Sequence, residues 1–261
     1  MKRSVKTLIG GACAGVVLLA APLIGWAQFG RGGGRGPVEY AANVPYDGRY
    51  TYARIRFAPP DLGFGFGGRQ DVKWDHDYPR SDRHFPKIIE EITSIHTRTG
   101  GSEIFTLDDP ELMKFPVAYL CEPGFWRPTD AEVKGLRNYL LKGGFIIFDD
   151  FTRNDWVNFT QQLTRAFPEL HPMRLTVDDK VFDSFYRIPN LNFTHPYWGM
   201  PAEFWGLYEN NDRNQRLMAI INYNNDVSEY WEWSDEGFYP VDATNEAYKL
   251  GVNYLVYALT R

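Results

Sequence analysis

A run of four apolar residues near the middle of the chain, 145–148 (FIIF), constrains the fold more than any other feature. Such a run is expected of a strand covered on both faces, whereas a strand with one wet face would alternate between apolar and polar residues. A helix comes directly before it, because Thr129 and Glu132 form a capping box and Gly143-Gly144 ends the helical pattern. A buried strand that follows a helix predicts a sheet covered by helices.

Strand and helix patterns alternate along the rest of the chain. Further strands are predicted at 50–57 (YTYARIRF), 104–107, 116–120 (PVAYL) and 217–221, and further helices from Ser81 or Asp82 to before Gly100, at 156–167 and at 244–259. The alternation predicts an α/β fold: a doubly wound, flavodoxin-like, mostly parallel sheet with helices on both faces. The aromatic-rich interval 173–233 breaks the alternation and is predicted to be an insertion.

The first 27 residues predict an export signal. Lys2, Arg3 and Lys6 precede an uncharged apolar stretch over 8–24, and the small residues around Trp26 fit cleavage after Ala27. An uncleaved anchor is the alternative, since the stretch approaches the roughly 18 residues that span a bilayer. We therefore predict a periplasmic or secreted protein, whose membrane contact is limited to this segment if it is not cleaved.

Beyond that segment the sequence predicts a glycine-rich linker at 28–48 and a single domain at 49–261. The formal net charge is −5, from 28 Lys+Arg against 33 Asp+Glu. This balance argues against a nucleic-acid partner, which needs clustered basic residues to neutralise phosphates. Cys121 is the one cysteine past residue 27, so we predict no disulfide within the domain.

Acidic residues follow two of the predicted strands, at the end where open α/β sheets bind ligands. Asp149 and Asp150 follow the strand at 145–148, and Glu122 lies just past the strand at 116–120. These three are the candidate catalytic residues, because paired carboxylates can exchange protons or bind a divalent cation. The alternative for Asp149 and Asp150 is that one of them caps the next helix or accepts hydrogen bonds from loop amides while the other faces water.

Candidate ligand-binding residues lie in the loops after two strands. They are Trp74, Asp75, Asp77, Tyr78 and Trp126. In the aromatic-rich interval 173–233, flat rings with polar neighbours suit stacking on sugars or docking a partner, and the alternative is that they pack this interval onto the sheet. His76 lies in the same loop as Trp74, but it has no second histidine at ligand spacing, so we predict neither a metal site nor a cofactor.

Several segments together resemble a bacterial domain-of-unknown-function family, DUF4159. They are YARIRF (52–57), WDHDYPRSDRHF (74–85), LDDPEL (107–112), PVAYLCEPG (116–124), LRNYLLKGGFIIFDDF (136–151), INYNNDVSEYWEW (221–233) and AYKLGVNYLVYALT (247–260). The resemblance covers about residues 50–261. It implies a fold like that of class I glutamine amidotransferases, near the trehalose-utilisation type.

The resemblance does not carry over the catalytic pattern of amidotransferases. Those enzymes place a cysteine on a glycine-flanked elbow after a strand and a His-Pro-Glu further on. Here the strand at 145–148 ends in Asp149-Asp150, His171-Pro172 precedes Met173, and His195-Pro196 precedes Tyr197. We therefore do not expect glutaminase activity, and the resemblance implies no other established activity.

Three functions remain open at this point. The leading interpretation is a non-catalytic module that binds a ligand or an envelope protein on a degenerate amidotransferase-like scaffold. The first alternative is a carboxylate- or metal-dependent hydrolase that acts on a carbohydrate or cell-wall substrate. The second is a structural component of an envelope complex.

Overall fold

The computed structural model describes residues 39–58, 71–196 and 198–261. The predicted export signal and the first part of the linker lie outside these residues, so both stay predictions. In the described ranges, no helix combines the length and the apolar composition that a bilayer crossing requires.

One sheet of seven strands runs through the described residues. The strands are β1 (Ala53–Ile55), β2 (Glu103–Phe105), β3 (Val117–Cys121), β4 (Phe145–Phe151), β5 (Met173–Arg174), β6 (Glu203–Tyr208) and β7 (Leu217–Tyr223). Their order is β2-β1-β3-β4-β7-β6-β5. Strands β2, β1, β3, β4 and β7 are parallel to one another and follow the flavodoxin order. Beyond β7, β6 pairs antiparallel with β7 and β5 pairs antiparallel with β6. The predicted fold class is confirmed.

Helices cover both faces of this sheet. They are α1 (Arg80–Ile92), α2 (Asp130–Leu141), α3 (Asp155–Ala166), α4 (Val227–Glu232) and α5 (Val241–Thr260). One apolar cluster joins α1, α4 and α5 to the sheet, and the other joins α2 and α3 to it. Phe145 and Ile147 belong to the first cluster and Ile146 and Phe148 to the second, which explains why this strand is apolar at every position.

Helix α2 begins where the sequence predicts it. The Thr129 hydroxyl accepts a hydrogen bond from the amide of Glu132 at 3.2 Å, and the Glu132 carboxylate accepts one from the Thr129 amide at 2.8 Å. Further along the helix, Gly135 lies so close to the preceding loop that an added Cβ would be 1.9 Å from the Leu107 carbonyl oxygen. The capping box sets the start of α2, and the glycine allows its close packing.

Two segments differ from the sequence patterns. The predicted strand over 50–57 contracts to β1, because its outer partner β2 has three residues. The interval 173–233 supplies β5, β6, β7 and α4, and β7 pairs with β4 inside the sheet. Aromatic rings of this interval, such as Phe204 and Trp231, belong to the core cluster on the α1 face.

Candidate functional site

The carboxyl ends of β1 and β3 lie at the topological switch point of the sheet, because the chain continues from β1 towards one edge and from β3 towards the other. Open α/β sheets bind ligands in the crevice at this point. The loop after β1 brings His76 there, and the turn after β3 brings Glu122. His76 Nδ1 lies 2.8 Å from Glu122 Oε1.

Asp150 joins this pair from the end of β4. The pairing of β4 with β7 shifts register between Phe148 and Phe151, and this bulge redirects the Asp150 side chain. Its Oδ2 lies 3.5 Å from His76 Nδ1 and accepts a long hydrogen bond, also 3.5 Å, from the thiol of Cys121. Only 10% of the Asp150 side chain is exposed. His76, Glu122 and Asp150 therefore form one compact group of possible ligand atoms.

The backbone around this group is strained. Four non-glycine residues adopt left-handed conformations: Lys73 (φ 66°), Asp77 (φ 61°), Glu122 (φ 47°) and Asp150 (φ 60°). Such conformations cost about 1–3 kcal/mol each and concentrate at functional sites, where the fold holds a side chain in a required position.

Asp71 and Lys73 orient the imidazole from its other side. His76 Nε2 lies 2.9 Å from Asp71 Oδ1, and Lys73 Nζ lies 2.8 Å from Asp71 Oδ2 and 3.3 Å from Glu122 Oε1. Burial disfavours the charged imidazolium, but hydrogen bonds with Asp150, Asp71 and Glu122 outweigh it and raise the pKa of His76 well above its usual range. The ring is thus held between carboxylates on both edges.

Asp77 lies beside this group, and its Oδ2 accepts a hydrogen bond from the Ser228 hydroxyl. A carboxylate oxygen of Asp77, the Cys121 sulfur and a carboxylate oxygen of Asp150 lie within 4.8 Å of one another. Burial, reinforced by the charge of Asp150, raises the pKa of Asp77 and likewise that of Glu122. The surroundings therefore favour the protonated forms of both carboxyls.

Two more buried acids adjoin Asp77 from the start of α4. Asp226 caps this helix by accepting a hydrogen bond from the Glu229 amide at 2.9 Å. Carboxylate oxygens of Asp77, Asp226 and Glu229, one from each, lie within 4.8 Å of one another. Burial raises the pKa of Asp226 well above its usual range and that of Glu229 to about 9. The Tyr239 hydroxyl donates a hydrogen bond to Glu229 at 2.9 Å, and this bond partly opposes the rise in the pKa of Glu229.

Asp149, in contrast, faces away from this group and is fully buried. It accepts hydrogen bonds from the Tyr119 hydroxyl, the Asn222 amide group and the backbone amides of Val227 and Ser228, all between 2.9 and 3.0 Å. Burial raises its pKa to about 7, although these donors favour the carboxylate. Asp149 thus fixes the start of α4 against the sheet, and it does not cap the next helix, α3, as one alternative from the sequence had it.

The predicted aromatic ligand contacts are buried. Trp74 and Tyr78 lie under the ring of Tyr40, with centroid distances of 4.9 and 5.5 Å, and the Tyr40 hydroxyl donates to Asp75 at 2.6 Å. Trp126 is fully buried in the apolar cluster on the α2 face. The structure therefore brings Asp77, Glu122 and Asp150 together but keeps these rings and Asp75 outside the group; their role in ligand binding stays a prediction.

Cys121 does not have the surroundings of an activated thiol. It is the last residue of β3 and fully buried, and burial together with the charges of Asp150 and Asp77 raises its pKa well above the usual range. The next residue, Glu122, takes the left-handed conformation at the turn. The acid, rather than the thiol, projects from this turn towards His76.

Sequence reasoning missed several members of the site, namely Asp71, Lys73, Asp226, Ser228 and Glu229. One signal was present: Asp226 and Glu229 follow the predicted strand at 217–221 with the spacing of a helix cap, at the same end of the sheet as Glu122. Asp71 and Lys73 carry no such signal, because a turn places them and not a repeating pattern.

Fold and site together define a doubly wound α/β domain with a histidine–carboxylate group at its topological switch point. The chain belongs to the family described as Domain of unknown function (DUF4159), whose profile matches residues 62–259. The predicted family is thereby confirmed, while the relation to glutamine amidotransferases stays a prediction. No curated protein matches the chain.

Proposed function

We propose that this protein is a hydrolase whose reaction takes place at the histidine–carboxylate group between β1 and β3. The observation that carries the proposal is the convergence at the switch point of His76 and Asp77 from the loop after β1, Glu122 from the turn after β3 and Asp150 from the end of β4. The leading alternative from the sequence, a non-catalytic binding module, requires no such concentration of buried acids on strained backbone.

Asp77 is the proposed acid–base residue. Burial and the charge of Asp150 raise the pKa of Asp77, which favours the protonated form that can give a proton to a leaving group, and its base form can take a proton from water. The hydrogen bond from Ser228 fixes one of its oxygens. The other three groups present one nitrogen and two carboxylate oxygens within 4.8 Å of one another, a polar surface on which water or a substrate hydroxyl can be oriented.

The proposed substrate is a carbohydrate or a cell-wall fragment, as the predicted export of the chain suggests. The polar groups of such a substrate can donate hydrogen bonds to the carboxylate oxygens of Glu122 and Asp150 and accept them from Lys73. The reaction is cleavage by water: the bond to the leaving group breaks, the leaving atom takes a proton from Asp77, the hydroxyl of water bonds to the other side of the cleaved bond, and the remaining proton of water passes to Asp77.

The test is a turnover assay of the purified full chain with p-nitrophenyl glycosides, p-nitrophenyl acetate and soluble peptidoglycan fragments. We expect hydrolysis of at least one probe, with kcat reduced at least 100-fold in Asp77→Asn, since loss of general acid–base catalysis costs about 10²–10⁴-fold. Asp212→Asn, at an exposed turn, is the matched control and keeps the wild-type rate.

The pH–rate profile distinguishes catalysis from a structural effect of the variant. Asp77→Glu preserves the ionisable group, so it should retain part of the activity with a displaced pH optimum. Hydrolysis that is unchanged in Asp77→Asn would refute the assignment of Asp77. Saturable binding of a probe without turnover would refute the hydrolase and support the binding module.

A further inference from the structure

We propose that His76, Glu122 and Asp150 bind a divalent transition-metal ion, of the kind represented by Zn²⁺ or Mn²⁺. This goes against the sequence-based prediction of no metal site, and it rests on the proposed function only in sharing the same group of residues.

The spacing of the three ligand atoms carries the inference. His76 Nδ1 is 2.8 Å from Glu122 Oε1 and 3.5 Å from Asp150 Oδ2, and all three atoms lie within 4.8 Å of one another. Ligand atoms about 2.1 Å from a common metal ion are about 3.0–3.4 Å apart in octahedral or tetrahedral geometry. Both separations from His76 Nδ1 are within a few tenths of an ångström of this range, so small movements of the two carboxylates can seat one ion between the three atoms.

The second observation is the polar surroundings of Asp150. Its side chain is nine-tenths buried, and the described residues offer it only two contacts, the thiol of Cys121 and the ring of His76, both at the 3.5 Å limit of hydrogen bonding. A buried carboxylate requires a close opposite charge or strong donors to offset its lost hydration. In the metal-free chain the His76 ring supplies that charge at the 3.5 Å limit, and a divalent cation seated against Oδ2 supplies it at closer range.

The third observation is the contact on the far edge of the imidazole. Asp71 accepts a hydrogen bond from Nε2 at 2.9 Å, so a metal ion that displaces the Nδ1 proton leaves the remaining ring proton on Nε2 and takes the Nδ1 lone pair on the side of Glu122 and Asp150. Metal-bound histidines usually donate their other N–H to a carboxylate in this way. Imidazole with two carboxylates suits Zn²⁺ or Mn²⁺ better than Ca²⁺.

Lys73 is the competing cation, because its ammonium lies 3.3 Å from the Glu122 oxygen that would bind the metal. It also contacts Asp71 and the ring of Phe125, so it has partners to keep when the metal enters. Removing its charge should therefore strengthen metal binding, a direction that no general loss of folding would produce.

The experiment measures metal uptake without any substrate. The full chain is stripped with EDTA and titrated with Zn²⁺ and Mn²⁺ by calorimetry, and bound metal is then counted by elemental analysis after dialysis. We expect one equivalent per chain, affinity at least 100-fold weaker in Glu122→Gln and in Asp150→Asn, about 10- to 100-fold weaker in Asp71→Asn, and tighter in Lys73→Met. His171→Gln, an exposed histidine, is the matched control.

Two results would overturn the proposal: no stoichiometric uptake by either the wild type or Lys73→Met, or uptake that is unchanged in Asp150→Asn. Substitution with Co²⁺ reports the ligands, since its visible spectrum shows a tetrahedral or octahedral site and a sulfur charge-transfer band appears only if Cys121 binds. Uptake without turnover would refute the hydrolase alone, and turnover without stoichiometric uptake would refute the metal site alone.

Discussion

Glu229→Gln should make the protein more stable at alkaline pH. Glu229 is buried at the start of α4, faces Asp77 and Glu232, and is hydrogen-bonded by the Tyr239 hydroxyl. Its folded-state pKa is about 9, against an ordinary value of 4.5 in the unfolded chain. An acid with a raised folded pKa destabilises the native state as pH rises from the unfolded value to the folded one. Glutamine has the shape of the protonated acid and no such penalty.

The size of the effect follows from proton counting. Between pH 6 and pH 8 the unfolded chain has lost the Glu229 proton, while the folded chain retains it, so the difference is close to one proton. Each pH unit then lowers the free energy of unfolding by about 1.4 kcal/mol, or about 2.7 kcal/mol over the interval. The variant lacks this slope, so its stability relative to wild type should rise by that amount.

The assay is urea unfolding followed by tryptophan fluorescence at half-unit steps from pH 5 to pH 9, for wild type, Glu229→Gln and the surface control Glu246→Gln. The wild-type and Glu246→Gln curves should run parallel, and the Glu229→Gln curve should diverge upwards from pH 5 onwards, because the range lies between the unfolded and folded pKa values of Glu229. Parallel curves for all three proteins would refute the argument, because they would mean that the carboxyl of Glu229 ionises in the folded chain as it does in water.

Three further changes test other parts of the structure. Arg54→Lys should lower the free energy of unfolding by about 3 kcal/mol, because lysine cannot keep both the buried pair with Asp82 and the hydrogen bond to the His76 carbonyl; urea unfolding measures it. Gly135→Ala should lower the free energy of unfolding by about 1–3 kcal/mol or more, since the added Cβ would overlap a backbone carbonyl; thermal melting measures this loss. Cys121 should react with Ellman's reagent only after denaturation, because its thiol is buried and its pKa is raised.

Each of these three changes has a matched control. Arg49→Lys alters an exposed pair and should leave stability within about 0.5 kcal/mol of wild type. Gly100→Ala adds a Cβ where no atom lies within 4 Å, so a loss as large as that of Gly135→Ala would contradict the steric argument. Cys13→Ser removes the other cysteine, and rapid reaction of its native form would show that Cys121 is accessible.

The sheet was predictable from the sequence because its signals are local. The apolar run of β4 reflects burial on both faces, and the Thr129–Glu132 box reflects hydrogen bonds within one turn. The extent of β1 was not predictable in this way. Its length depends on where it pairs with β2 and β3, and the sequence pattern over 50–57 contains no information about those partners.

The sequence indicated where the candidate site lies, but not which residues form it. The rule that ligands bind at the carboxyl ends of parallel strands selected Glu122 and Asp150 correctly as neighbours. It did not separate Asp150 from Asp149, because the bulge that turns the two side chains in different directions depends on pairing with β7. Nor did it rank His76, whose importance comes from partners distant in sequence.

The two edge strands of the sheet determine how the folded protein would aggregate. Among the described strands, β2 and β5 form the two edges with three and two residues, so the native sheet offers little free backbone to a neighbouring molecule. The seven-residue β7 lies inside, covered along one side by β6. Local opening of β6 would expose a long apolar edge, and aggregation under mild stress should therefore depend on the free energy of that opening rather than on global unfolding.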